Sequence, residues 1–392
     1  MLGSLLLLGA LALAPDTVEF AGPPGSGKPS LAVGRGGRVI LTWLEPTTTN
    51  RHALRFAIRT DGRWSAPATI RESDRFFVNW ADFPSLVETA DGQWVVHWLE
   101  KTIAKPYAYH VMLSVSRDQG RTWGQPFPAH RDQSDTEHGF VSMVPRPGGG
   151  VDVVWLDGRN MTGAERGDMT VRTVSLDREG RLGQELELDP RSCECCQARI
   201  ARTSEGLIAA YRDRSPGEIR DIAVVRQEKG KWGVPVIPAA DGWEHRACPV
   251  NGPALVAEAN RVTLVWYTGV GDAPRVYMVQ SADGARTFGP RTRVDDGATL
   301  GRIDAVPVGG GRTLIAWLES AGQAEAEWRV RLASVDGRLG PVRPVVRVDR
   351  ARLAGFPRLA WTGTEALIGV TATGEKGGVR VVRISLPTGP GR

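Results

Sequence analysis

The sequence predicts an all-β propeller of seven four-stranded blades, and three observations predict it. An apolar strand with a Pro or Gly near its start recurs roughly every 50 to 57 residues along the chain. Each copy is followed, after a tight Gly or Asn turn, by a second strand, and in all but the last copy that strand has a common aromatic ending. Two further short strands with polar turns then fill the period, and four antiparallel strands per period make a propeller blade.

The first-strand copies are Pro29–Val33, Phe83–Val87, Phe140–Val144, Gln197–Ala201, Gly252–Val256, Gly301–Ala305 and Phe356–Ala360. The second strands end on Trp43-Leu44-Glu45, Trp98-Leu99-Glu100, Trp155-Leu156-Asp157, Tyr211-Arg212-Asp213, Trp266-Tyr267-Thr268 and Trp317-Leu318-Glu319, while Ala366–Val370 stands in without the aromatic. Third strands follow, such as Leu54–Ile58 and Arg275–Val279. The last copy supplies only three strands, ending over Val379–Ser385, and Thr17–Phe20 precedes the first copy with no blade of its own. That strand is expected to close the ring by completing the last blade, which removes an open edge.

At 392 residues the chain is long enough for several average domains, but all-β repeat proteins use this length for one closed body. Residues 1–14, MLGSLLLLGALALA, form an apolar run too short to span a bilayer and end on small residues. They read as a signal peptide, with 15–392 as a single propeller domain in the periplasm or outside the cell. No later run is long and apolar enough to cross a membrane. The net charge of +5 comes almost wholly from Arg scattered among acids, which argues against a nucleic-acid stripe.

Two turns between third and fourth strands carry a family resemblance. Ser116-Arg117-Asp118-Gln119-Gly120-Arg121-Thr122-Trp123 resembles the Asp box of sialidases and other BNR-repeat propellers, and Ser281–Phe288 is similar with Ala285 in place of the Gly. In such a turn the Asp caps backbone amides, the Gly takes a positive φ and the aromatic plugs the blade base. The box is a signal of fold more than of function, because Asp-box propellers include hydrolases and binding proteins. The resemblance also keeps a six-bladed, sialidase-like ring open as the alternative.

The two faces of the disc differ. Turns from first to second strand, such as Ala90-Asp91-Gly92 and Pro147-Gly148-Gly149, are short. The opposite face receives the longer segments 100–109, 157–168 and 212–221 and the interblade loops Asn79-Trp80-Ala81-Asp82, Asp135–His138, Ser192–Cys196 and Trp243–Cys248. Varied loops on a rigid scaffold are where binding and catalysis usually sit.

Aligned on their shared apolar residue, the first strands place Ser30, Ser85, Ser142, Arg199, Ala254, Arg302 and Arg358 at one position. Three guanidiniums then converge on the axis, either to hold a carboxylate or as plugs paired to local acids such as Asp304. The sialidase resemblance implies the first, with an acidic glycan as ligand, and Arg212, Trp80 and Asp304 are further candidate contacts. It also implies a Tyr nucleophile with a Glu partner and an acid. Tyr211 with Glu218, and Asp82 or Glu137 as acid, are the candidates for a glycoside hydrolase. Against this, the N-terminal Arg motif of sialidases is absent at Phe83-Pro84-Ser85-Leu86, and Tyr211 holds the position of Trp43 and Trp98.

All four cysteines, Cys193, Cys195, Cys196 and Cys248, fall in adjacent interblade loops. They make either disulfides, one tying Cys248 to the triplet, or a soft-metal site for copper or zinc with His138 or His245. The functions in play are therefore an acidic-glycan hydrolase or binding protein without cofactor, a metal-handling or redox protein, and a plain interaction scaffold. A monomer with no nucleic-acid partner is expected.

Overall fold

The computed structural model describes residues 16–102, 105–162 and 167–386. They form seven antiparallel sheets of four strands, the first with an added two-residue strand at Arg63–Trp64. Among the described residues the only helical pieces are three-residue 3-10 turns. The innermost strands are Gly27–Val33, Ser85–Glu88, His138–Pro145, Arg199–Arg202, Ala254–Glu258, Thr299–Pro307 and Arg358–Trp361. Each touches the next around the axis, and Arg358–Trp361 returns to Gly27–Val33.

Blade seven is completed from the other end of the chain. Strand Thr17–Ala21 pairs antiparallel with Val379–Ile384, Thr17 lying opposite Arg383 and Ala21 opposite Arg380. The strand is also fastened to blade one, where the Phe20 ring sits 5.2 Å from Trp43 and 5.3 Å from Trp64. Glu19 meets Arg59 at 2.7 Å. The expected signal peptide, residues 1–14, lies outside the described residues.

The repeated second-strand ending has a physical cause. Residues two apart on a strand share a face, so the indole of Trp43 donates to Glu45 at 2.9 Å, Trp98 to Glu100 at 3.0 Å, Trp155 to Asp157 at 2.8 Å and Trp317 to Glu319 at 2.6 Å. All four rings are buried between sheets, and each N–H keeps a charged acceptor. Where the carboxylate is missing, a neighbouring segment supplies one: Trp266 donates to Asp241 at 2.5 Å.

The turn over Ser116–Trp123 is built as its sequence implies. Asp118 accepts from the Thr122 amide at 2.9 Å and its hydroxyl at 2.6 Å, while Gly120 takes φ 85°. In the second such turn Ala285 adopts φ 65° in the glycine's place.

Three inner strands share a bulge that bears on the axis. Lys28, Phe140 and Arg302 have φ of 59°, 55° and 52° and interrupt the pairing register of blades one, three and six. Left-handed backbone costs free energy in residues with a side chain, and each is held by the neighbouring blade. The Lys28 amide donates to Thr371 Oγ1 at 3.2 Å, the Phe140 amide to Asp82 at 2.7 Å and the Arg302 amide to Asn251 at 2.6 Å.

Candidate functional site

Strand pairing defines the axial layer. The inner-strand residues opposite the residue just before each aromatic ending are Ser30, Ser85, Ser142, Arg199, Ala254 and Asp304, and Arg358 is the seventh, opposite Gly369. The sequence alignment put Arg302 in this layer. The bulge between Gly301 and Asp304 instead brings Asp304 opposite Ala316 and leaves Arg302 two residues away. Its guanidinium lies 4.9 Å from the Trp80 ring and donates to Ala351 O at 3.1 Å, among the long interblade loops. Burial and the Arg352 charge push it down to about 10. Trp80 is thus a cation–π partner, flanked also by Phe356 at 5.9 Å.

Arg199 and Arg358 do converge, with an acid between them. Arg358 Nη1 donates to Asp304 Oδ1 at 3.1 Å, Arg199 Nη2 lies 3.6 Å from the same oxygen, and the Leu359 amide donates to Oδ2 at 2.8 Å. Burial and the neighbouring Arg199 push Arg358 down to about 9, and burial lowers Arg199 too. Two positive charges against one negative leave the layer cationic.

A cavity of about 310 Å³ rises from this layer. Ser30, Ser85 and Ser142 line it with Arg199 and Arg358, and it runs to Val33, Glu88 and Pro145 at the far ends of the inner strands. It therefore opens toward the face with the short turns. Ser85 Oγ is 3.0 Å from His97 Nδ1, and burial drives His97 down to about 3, which keeps that ring neutral. On the long-loop side the axis is crossed by Gln197, whose Nε2 donates to Ala81 O at 2.7 Å while its Oε1 accepts from the Gly252 amide at 3.0 Å. A Cβ on Gly252 would lie 2.1 Å from Gln197 O, so only glycine passes there.

The candidates for chemistry fall into two groups on the long-loop face. Asp82 is buried and pushed up to about 7 by desolvation and by the Glu137 charge. Tyr109, which sequence reasoning did not single out, joins them: it hydrogen-bonds Glu137 and is raised well above its ordinary value by burial, then by Asp82 and Glu137. Its only sequence signal is its place at the end of the long segment 100–109. Asp82 also performs for Phe140 the clasp that Asn251 performs for Arg302, which is a packing role. Tyr211 is fully buried and its hydroxyl donates to Asp189, so it occupies the place of the strand-ending tryptophans. Glu218 is not brought to it. That carboxylate binds Arg214 at 2.8 Å and Arg220 at 2.8 Å, and the Arg214 hydrogen bond holds it below its usual range. Arg212 is buried with its nitrogens on the carbonyls of Asn251, Arg220 and Tyr267, 5.1 Å from the Trp243 ring.

The cysteines gather as their loops imply. Cys195 and Cys248 form a disulfide with Cα atoms 6.0 Å apart, and Cys193 and Cys196 are buried thiols. The sulfurs of Cys193, Cys195 and Cys196 lie within 4.8 Å of one another, so a thiolate metal site for copper or zinc there requires the disulfide to be reduced. His245 stacks on Trp243 at 4.8 Å beside this region. His138 belongs elsewhere, with His110 and His130. Its Nε2 is 2.9 Å from Asp132, its Nδ1 3.1 Å from Tyr109 O, and the His130 ring is stacked on it at 4.0 Å.

No family model matches the chain, and no curated protein matches its sequence. Solved structures do resemble it. A protein of unknown function from Dyadobacter fermentans is 12% identical with a TM-score of 0.55, covering 95% of this chain and 98% of that one. A polysaccharide lyase is 9% identical with a TM-score of 0.54, covering 92% and 89%. A sialidase from Streptococcus pneumoniae is 9% identical with a TM-score of 0.47, covering 96% and 70%. At these identities the likeness is one of fold: the chain is a seven-bladed β-propeller.

Proposed function

We propose that the protein binds a carboxylate-bearing glycan in the axial cavity. The observation that carries this reading is the pair Arg199 and Arg358 sharing the single carboxylate of Asp304 beneath three serine hydroxyls. A buried cationic excess is costly unless an anion joins it, and guanidinium forks match carboxylate geometry. The serines suit sugar hydroxyls.

Binding without hydrolysis is the form we favour. The carboxylates lining the cavity are Asp304 and Glu88, and both are ion-paired, Glu88 with Arg38 at 2.9 Å. Asp82, Glu137 and Tyr109 stand at the opposite end of the inner strands. The disulfide fits an oxidising compartment, the periplasm or the cell exterior. Among the described residues no helix is long and apolar enough to cross a membrane.

The test is calorimetric titration with sialic acid, galacturonic acid and neutral galactose, beside a fluorogenic sialoside assay. Binding of the acidic sugars alone, without turnover, is expected. Equal affinity for galactose, or no binding of either acid, would remove this reading.

A further inference from the structure

Four sulfurs meet where the loops between blades three and four and between blades four and five approach each other. Cys195 is bonded to Cys248 across a sequence separation of 53. Cys193 Sγ stands 3.8 Å from Cys195 Sγ and 2.6 Å from Cys196 Sγ, so one thiol has a disulfide on one side and a second thiol on the other. Exposure rises outward: Cys193 and Cys196 are 0% and 1% exposed, Cys195 is half-buried and Cys248 is exposed.

The charge around the pair is cationic. Arg212 and Arg220 are 1% and 2% exposed. Arg220 meets Glu218 at 2.8 Å, but Arg212 is bonded only to carbonyls, and among the described residues no carboxylate pairs with it. A buried cation without an acid favours an anion beside it, and a thiolate is the group at hand.

We propose that the four cysteines carry a thiol–disulfide exchange activity in which a buried dithiol and a surface disulfide trade places. In the first step Cys193 gives its proton to water and attacks Cys195 Sγ. The Cys193–Cys195 bond forms, the Cys195–Cys248 bond breaks, and Cys248 leaves as a thiolate that water protonates. In the second step Cys196 loses its proton to solvent and attacks Cys193 Sγ, and Cys195 leaves as a thiolate and is protonated. The buried dithiol has been oxidised by two electrons and the surface disulfide reduced by the same two, so nothing external is consumed. Cys195 and Cys248 then form the dithiol at the surface, whose substrate class is a protein or peptide disulfide: that disulfide is reduced as Cys195–Cys248 re-forms, once per molecule until a small-molecule thiol reduces Cys193–Cys196.

The full chain, reduced to two thiols per molecule and incubated without further reductant, is labelled with a bulky maleimide, acid-quenched and mapped by fragment-ion mass spectrometry. Label on Cys248 and Cys195 with a disulfide at Cys193–Cys196 is expected. In Cys193→Ala protein Cys248 stays unlabelled, and Arg212→Met slows labelling on the order of tenfold. Label confined to Cys193 and Cys196 with Cys195–Cys248 intact would overturn the proposal, whatever the variants do. So would four reduced cysteines holding one equivalent of copper(I) or zinc(II), which would make the cluster a metal site.

Discussion

Arg358 Nη1 donates a hydrogen bond to Asp304 Oδ1 at 3.1 Å beside the axis of the ring, from blade seven to its neighbour blade six. Arg199 reaches the same oxygen from blade four at 3.6 Å. The acid holds the two cations together and competes with any ligand for them.

Changing Arg358 to Met should therefore weaken binding of an acidic sugar by about 2 kcal/mol, roughly thirtyfold, because a charged buried hydrogen bond is lost. Asp304→Asn should strengthen it. Calorimetry with sialic acid checks both, and an unchanged affinity in Arg358→Met would remove the axial cavity as the site.

Asp82 should make stability pH-dependent. Its folded value, about 7, lies above the ordinary carboxylate value, so the native state holds the proton more tightly than the unfolded chain. Its contribution is full below pH 4 and is lost as the pH rises through 7. Asp82→Asn, which copies Asn251, should remove that loss and be more stable than wild type at pH 8 by roughly 2–4 kcal/mol. Urea midpoints at pH 5 and 8 measure it, and a wild-type-to-variant gap that is the same at both pH values refutes it.

The Cys195–Cys248 bond closes a loop that spans blade four, across a sequence separation of 53. A crosslink of that span contributes about 4 kcal/mol by restricting the unfolded chain. The double variant Cys195→Ser/Cys248→Ser should unfold several degrees lower, and wild type in reductant should move toward it in thermal scans. Coincident melting curves would show that the bond constrains nothing.

Phe20→Ala should loosen the seam of the ring. The half-buried ring packs on Trp43 and Trp64, so its loss should cost about 2 kcal/mol in chemical denaturation. It should also promote concentration-dependent association through the edge of Val379–Ile384. Light scattering on the variant would detect that, and a monodisperse, fully stable variant would contradict it.

Blade count, closure by the first strand and the meeting of the cysteine loops were legible because each rests on a repeat. The axial layer was legible for Arg199 and Arg358 and misread at Arg302, because a bulge adds residues without changing the apolar pattern. The aromatic ending held the missing information: the spacing from Ser30 to Trp43, Ser85 to Trp98 and Ser142 to Trp155 is that from Asp304 to Trp317, and Arg302 lies two residues further out. Tyr109 left no comparable trace. Its neighbours Asp82 and Glu137 come from different loops, and only packing of blade two on blade three joins them.

The pairing of Thr17 with Arg383 makes the ring a check on its own synthesis. Nearly the whole chain must exist before these two residues can meet, so one of the longest-range contacts of the fold forms among the last. A product stalled before Val379 leaves Thr17–Ala21 without its strand partner and blade seven with a bare edge, the form of exposure that quality-control proteases and chaperones recognise. Incomplete copies are thereby marked by the same strand that seals complete ones.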